Sequence, residues 1–388
     1  MPSKIEQTLD LRKFVAPEII VGRDARLLLC RYLQHFTARR PMIVTDGHLL
    51  DLPWFQEILE QISSCTEDHF IFSDISPNPR DYETMLGADL FIAQKCDVII
   101  AIGGGSPMDC AKGIGIVASN GGNILDYEGV DQIKLPGPPL ICIPSTAGTS
   151  ADVSQFAIIC DTLSQVKKAI ISKKVVPDLA LIDPVPLMTM DMYLTACTGM
   201  DALTHAIEAY VSNAQSALTD VHALEAIKLV SENLLDAVKP ERTLDTMFNM
   251  LQASLQAGLA FSNASLGAVH ALAHSLGGLL DLPHGQCNSI LLEHVIALNY
   301  ETAPARYNRI AEALGASPDR DSLLERIREL RGRAGIKPYI EIDDISDKLM
   351  DQLTVNAVSD PCIVTNPRQL SIQEVKEIYG RIFTTQKS

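Results

Sequence analysis

The chain has 388 residues, 47% of them hydrophobic, and a formal net charge of −16. That length exceeds what one hydrophobic core usually supports, so two domains are expected, and the acidic balance excludes a nucleic-acid or anionic-membrane partner, since either selects a basic face. Nine cysteines scattered without a C-x-x-C pair fit reduced cytoplasmic thiols, and neither the opening MPSKIEQTLD nor any later apolar run has the make-up of a signal peptide or a bilayer span.

Between about residues 40 and 185, short β-rich runs alternate with helical stretches. Residues 41–46, 97–102, 140–144 and 178–183 read as strands. They are continuous apolar runs bounded by turn residues, the pattern of strands buried on both faces by helices. Residues 1–185 therefore form an expected α/β domain with a Rossmann-like parallel sheet. The second of these strands runs straight into Gly103-Gly104-Gly105-Ser106-Pro107, with a helix expected from Met108. Glycines let a backbone approach a ligand closely, and a helix N-terminus offers N–H donors to a pyrophosphate. The G-x-G-x-x-G fingerprint is absent, so a tight structural turn is the competing explanation. A second small-residue loop, Ser145-Thr146-Ala147-Gly148-Thr149-Ser150, also follows a strand, and open α/β sheets bind ligands at such strand ends.

Past Asp183-Pro184 helical periodicity takes over, as in 201–211, 220–238 and 245–261. Residues 186–388 read as an all-α domain, joined through a tight junction near 184–190. Within it, residues 267–285 read GAVHALAHSLGGLLDLPHG and hold three of the nine histidines. His270 and His274 share one helix face, a spacing that suits chelation. His284 follows an expected helix end at Gly277-Gly278, in a turn that can carry a third imidazole back. No H-E-x-x-H pattern supplies a hydrolytic base. Upstream, GMDALTHAIE sets Asp201 and His205 four apart on one helix. Each histidine alone is most simply a packed core residue, and the Asp201–His205 pair alone a surface pair.

Taken together, AIGGGSPMDCAK, GMDALTHAIE, FSNASLGAVHALAHSLGG and LPHG resemble, in that order and over nearly the whole chain, the iron-dependent group III alcohol dehydrogenases. That family includes lactaldehyde reductases, propanediol dehydrogenases and butanol dehydrogenases. The resemblance implies a metal, Fe(II) with Zn(II) as the other candidate, held by Asp201, His205, His270 and His284. It makes His274 a substrate neighbour able to join proton movement rather than a ligand. It places NAD against Asp46, Asn78, Gly103, Gly104, Gly105, Ser106, Pro107, Ser145, Thr146, Thr149, Ser154 and Lys167. The family's T-A-G-T-G-S-E stretch reads T-A-G-T-S-A-D here, departing at Ser150 and Asp152. Cys362 and Asn366-Pro367-Arg368 echo a further family element and are set aside as packing residues.

The reaction so implied is hydride exchange between NAD(H) and a small primary alcohol or aldehyde at a metal in the interdomain cleft. The resulting expectation is a cytoplasmic homodimer or larger homo-oligomer with small-molecule substrates. Two other readings are a glycerol dehydrogenase-like zinc enzyme, against which LTHAIE and HALAH stand, and a non-catalytic nucleotide-binding regulatory protein.

Overall fold

A computed structural model describes residues 13–342 and 345–385, so the opening decapeptide read above lies outside the described residues. The first half runs β1 (Glu18–Val21), α1 (Leu29–His35), β2 (Pro41–Thr45), α2 (Pro53–Cys65), β3 (Phe70–Phe72), α3 (Asp81–Ala93), β4 (Val98–Gly103) and α4 (Gly105–Asn120). It continues through β5 (Gly129–Val130), β6 (Leu140–Pro144), β7 (Phe156–Asp161), β8 (Val166–Ile171) and β9 (Leu179–Ile182). The four expected strands are β2, β4, β6 and β9, each within a residue at either end.

Alternation along the strands explains why both sheet faces are covered. Val98, Ile100 and Ile102 of β4 pack with Leu29 and Leu33 of α1 and Phe55 and Ile58 of α2. Ile99 and Ala101 point the other way, onto Met108, Ala111 and Ile114 of α4. Burial on both sides leaves no polar position in such strands. The parallel sheet has the order β1-β9-β6-β4-β2-β3. From β2 the chain steps outward to β3, then returns past β2 to β4 and builds in the other direction. The switch point therefore lies between the C-terminal ends of β2 and β4, where such sheets open a ligand crevice.

A second sheet, β5-β8-β7, comes from a stretch with no expected strand. Its β7–β8 hairpin pairs antiparallel from Phe156↔Ile171 to Asp161↔Val166. A short 3-10 turn at Pro186–Thr189, with Leu187 buried, links β9 to the helical half.

That half comprises α5 (Met192–Val211), α6 (Ala217–Ala237), α7 (Leu244–Ala264), α8 (Ala268–Leu280), α9 (His284–Asn299), α10 (Pro304–Ala313), α11 (Arg320–Arg333), α12 (Asp347–Ser359) and α13 (Ile372–Ile382). Asp191, Ser216 and Thr243 start α5, α6 and α7 by accepting from the N–H groups of Leu194, Thr219 and Thr246. One addition to the helical expectation is a short parallel pair, β10 (Ile340–Ile342) with β11 (Phe383–Thr385). No helix among the described residues is long and apolar enough to cross a membrane.

Two local expectations are corrected. The helix after the glycine turn begins at Gly105, not Met108. Gly277 and Gly278 do not end α8, which continues to Leu280 and stops at Asp281 in the left-handed conformation. Those glycines serve close packing instead: a Cβ on Gly278 would stand 2.8 Å from the Gln165 carbonyl, and one on Gly277 2.9 Å from Lys167 Nζ. Cys30 and Cys65, on the neighbouring helices α1 and α2, stand 6.0 Å apart at Cα, close enough to bridge, while the other seven cysteines are free and buried.

Candidate metal centre and nucleotide cleft

The crevice at the switch point widens into a cleft of about 730 Å³ between the two halves. Asp46 follows β2, Gly104, Gly105, Ser106 and Pro107 open α4, and Ser145, Thr146 and Thr149 follow β6; all line it, with Asn78. Gly103 is not on this wall. It takes φ 143°, and a Cβ there would meet Pro107 Cγ at 2.5 Å and Asp46 Oδ2 at 2.9 Å, so only glycine lets the turn close against Asp46. Burial pushes the Asp46 carboxyl above its ordinary pKa. Asn78, itself left-handed at φ 61°, is held from both halves: its N–H donates to Ser106 Oγ at 3.3 Å and its Nδ2 to Asp281 Oδ1 across the cleft at 2.9 Å.

Beyond Asn78, Gly105, Ser106 and Thr149 the cleft leads to an inner cavity of about 120 Å³. Ser154 and Lys167 reach this chamber rather than the outer cleft, together with Phe156, Ile158, Phe261, Leu266 and all four of His205, His270, His274 and His284. Ser154 Oγ accepts from Lys112 Nζ at 3.2 Å, so part of its hydrogen-bonding capacity is spent on the fold. Ser150 stands in left-handed backbone at φ 51°, at the position where the family pattern has glycine, and its Oγ donates to the Ser254 carbonyl at 2.6 Å. That bond ties the small-residue loop to α7.

At the inner end of the cleft, α5 contributes Asp201 and His205, α8 contributes His270 and α9 contributes His284. One donor atom from each lies within 4.8 Å of the others. Asp201 Oδ1 is 3.7 Å from Nε2 of both His270 and His284, and Asp201 Oδ2 is 3.9 Å from His205 Nδ1. His284 is the first residue of α9, preceded by Pro283, rather than part of a free turn. It is also the most open member, at 23% exposure, facing the cleft. Burial alone would raise Asp201, but His205, His284 and His270 hold it well below the usual carboxylate range. Burial lowers His205 to about 3 and drives His284 well down, so both rings favour the neutral form. Burial also opposes charge on His270, yet Glu208 and Asp201 outweigh it and raise the ring to about 9.

The buried Nδ1 atoms of His205 and His284 and the Oδ1 of Asn288 have no hydrogen-bond partner among the described residues. Buried polar atoms are rarely left so, and one carboxylate with three imidazoles is a donor set that suits Fe(II) or Zn(II). The residues therefore fit a divalent ion.

His274, one turn beyond His270, is not in that cluster. Its Nδ1 is 2.8 Å from Asp360 Oδ2, and with Cys362 these form a separate buried group. Three further residues escaped the sequence reading. Asn288, one turn after His284 on α9, donates to Asp201 Oδ1 at 2.6 Å, with its Nδ2 3.1 Å from both His270 Nε2 and His284 Nε2; the four-residue spacing was a usable signal. Glu208 lies 2.5 Å from His270 Nδ1 and also accepts from the Val269 N–H at 2.7 Å. Asp360 completes the set.

A dinucleotide crevice that ends on a buried carboxylate–imidazole cage defines a metal-dependent dehydrogenase. Residues 16–184 match the family model described as iron-containing alcohol dehydrogenase, and residues 195–383 match the C-terminal model of the Fe-containing alcohol dehydrogenase family. The chain is 35% identical to the NAD-dependent methanol dehydrogenase of Bacillus methanolicus over 94% of its own length and 98% of that protein. It is 38% identical to the 1,3-propanediol dehydrogenase of Klebsiella pneumoniae, covering 95% and 98% of the two chains. A solved 1,3-propanediol oxidoreductase superposes with a TM-score of 0.91 at 33% identity, covering 96% of this chain and all of that one. The chain belongs to the iron-containing alcohol dehydrogenase family.

Proposed function

We propose that this enzyme exchanges hydride between NAD(H) and small primary alcohols or their aldehydes, using an iron ion held by Asp201, His205, His270 and His284. The observation that carries the reading is the convergence of those four donors where the nucleotide cleft meets the inner cavity. When bound, Fe(II) supplies a Lewis acid for the substrate oxygen, and NAD(H) supplies the hydride acceptor or donor. The chain's own residues do the rest. The 103–107 turn and the start of α4 receive the pyrophosphate, and Asp46 receives the ribose hydroxyls and repels a 2′-phosphate. Asn78, Ser145, Thr146, Thr149, Ser154 and Lys167 complete the cofactor contacts. Phe156, Ile158, Phe261 and Leu266 exclude water from a cavity sized for a short aliphatic chain. His274 lies beside that cavity and takes or returns the substrate proton.

The division into a nucleotide domain over residues 1–185 and a metal domain over 186–388, assembly as a homodimer or larger homo-oligomer, and cytoplasmic residence belong to the same reading. Seven free, buried cysteines favour a reducing compartment. Iron is preferred over zinc on the family's name, since both ions suit the donor set. The test is purified enzyme loaded with Fe(II) or Zn(II) and offered NADH with a series of short aldehydes. Aldehyde-dependent NADH oxidation, higher with iron, is expected; none with any short aldehyde would overturn the reading.

A further inference from the structure

The Asp360-Pro361-Cys362 turn, of which the sequence reading noted only Cys362, touches the histidine that the metal cluster leaves out. Asp360 caps the 3-10 turn Pro361–Thr365: its Oδ1 accepts from the Cys362 N–H at 2.8 Å. Its other oxygen, Oδ2, lies 2.8 Å from His274 Nδ1, and both side chains are 6% exposed. A few residues on, Asn366 Oδ1 accepts from the Ala268 N–H at the start of α8, at 3.2 Å. The same turn thus fastens α8 at its first turn and at His274.

We propose that Asp360 is a positioning residue for the reaction, fixing the His274 ring and its tautomer through Nδ1. A carboxylate only accepts, so Nδ1 must carry the hydrogen and Nε2 is left as the lone-pair nitrogen of a ring that lines the inner cavity. In alcohol oxidation the substrate O–H proton then goes to Nε2 while hydride goes to the nicotinamide; the imidazolium so formed keeps its Nδ1–H on Asp360. The inference rests on the pocket role of His274. A metal at His274, Asp360 and Cys362 is the rival use of this group. It is disfavoured because both Asp360 oxygens are already engaged, Oδ1 by the Cys362 N–H and Oδ2 by His274 Nδ1.

Asp360→Asn separates the two jobs of the side chain. Asparagine is as good an N-cap as aspartate, so the turn persists. A neutral amide no longer enforces the Nδ1–H tautomer or stabilises the imidazolium. Asp360→Asn, His274→Ala and the double variant are compared in kcat, KM for NAD, metal content and Tm. Expected are a loss in kcat on the order of tenfold or more for Asp360→Asn, with normal metal and unchanged KM for NAD, and a double variant no slower than His274→Ala alone. Equal losses on both backgrounds would make Asp360 merely structural and overturn the proposal. So would a loss under about threefold in Asp360→Asn, which, beside an inactive His274→Ala, leaves the role of His274 standing. Near-normal turnover in His274→Ala removes that role and this proposal together. Loss of a second ion per chain in Asp360→Asn favours the rival. If Asp360→Asn fails to fold, Asp360→Ser, which caps but is too short to reach His274, is judged by the same outcomes.

Discussion

At the level of single residues, the proposed chemistry divides between two histidines one turn apart on α8, and their partners set them apart. His270 faces Asp201 and is backed by Glu208; His274 is backed by Asp360 and faces the cavity. His274→Ala is therefore expected to keep its metal while kcat/KM falls on the order of a hundredfold, measured by steady-state rates beside metal analysis. A fall under about threefold, roughly 0.65 kcal/mol, is too small for a proton carrier. Asp46→Gly is expected to raise the NADP-to-NAD ratio of kcat/KM by about tenfold or more, since it removes a like charge facing the 2′-phosphate; an unchanged ratio would mean Asp46 does not meet the ribose. Spacing alone pointed to His270 and His274 as a chelating pair, and the resemblance corrected that. Glu208 and Asp360 were out of reach because their contacts join positions 62 and 86 residues apart. No periodicity within one element registers such a pair.

Elements bring those residues together by close approach. A Cβ on Gly285 would sit 2.3 Å from the Cys197 carbonyl oxygen and 2.7 Å from its carbon, atoms of the α5 backbone that cannot swing aside. Gly285→Ala must push the start of α9 away from α5 and so carry His284 from Asp201. A destabilisation of about 1–3 kcal/mol is expected, read as a lower Tm, together with weaker metal binding in a chelator competition; wild-type values of both would contradict this packing role. Apolar runs made the four central strands legible, because a strand buried on both faces has no other way to be written. The β7–β8 hairpin was missed: β7 is apolar over residues 156–160, but Lys167 and Lys168 interrupt β8, since one face of the hairpin lines the inner cavity while Lys168 reaches out to Glu128. Gly277 and Gly278 misled for a related reason, as their purpose is the hairpin packed against them rather than a helix end.

For the whole molecule, two buried carboxylates of the first half, Asp109 and Asp152, make stability depend on pH. Burial raises Asp152 to about 6, from an ordinary value of 3.8. Between those values the folded chain holds more protons than the unfolded one, so this group makes stability fall as pH rises from about 4 to 6 and then level off. Asp152→Asn is expected to reduce that fall by roughly 3 kcal/mol, measured as Tm against pH. Asp109, also raised to about 6, retains part of it; an unaltered slope would mean Asp152 ionises freely in the fold. The two-part plan was legible from the change of periodicity near residue 184, whereas a metal site in the cleft between the parts came only with the family resemblance, because it depends on how the two parts close on each other. The account stands on that meeting point holding a catalytic divalent ion. The most direct measurement strips the enzyme with a chelator under anaerobic conditions and titrates Fe(II) back, following bound metal and NADH oxidation in parallel. The account predicts that both rise together and saturate at one ion per chain; full turnover in the stripped enzyme would contradict it.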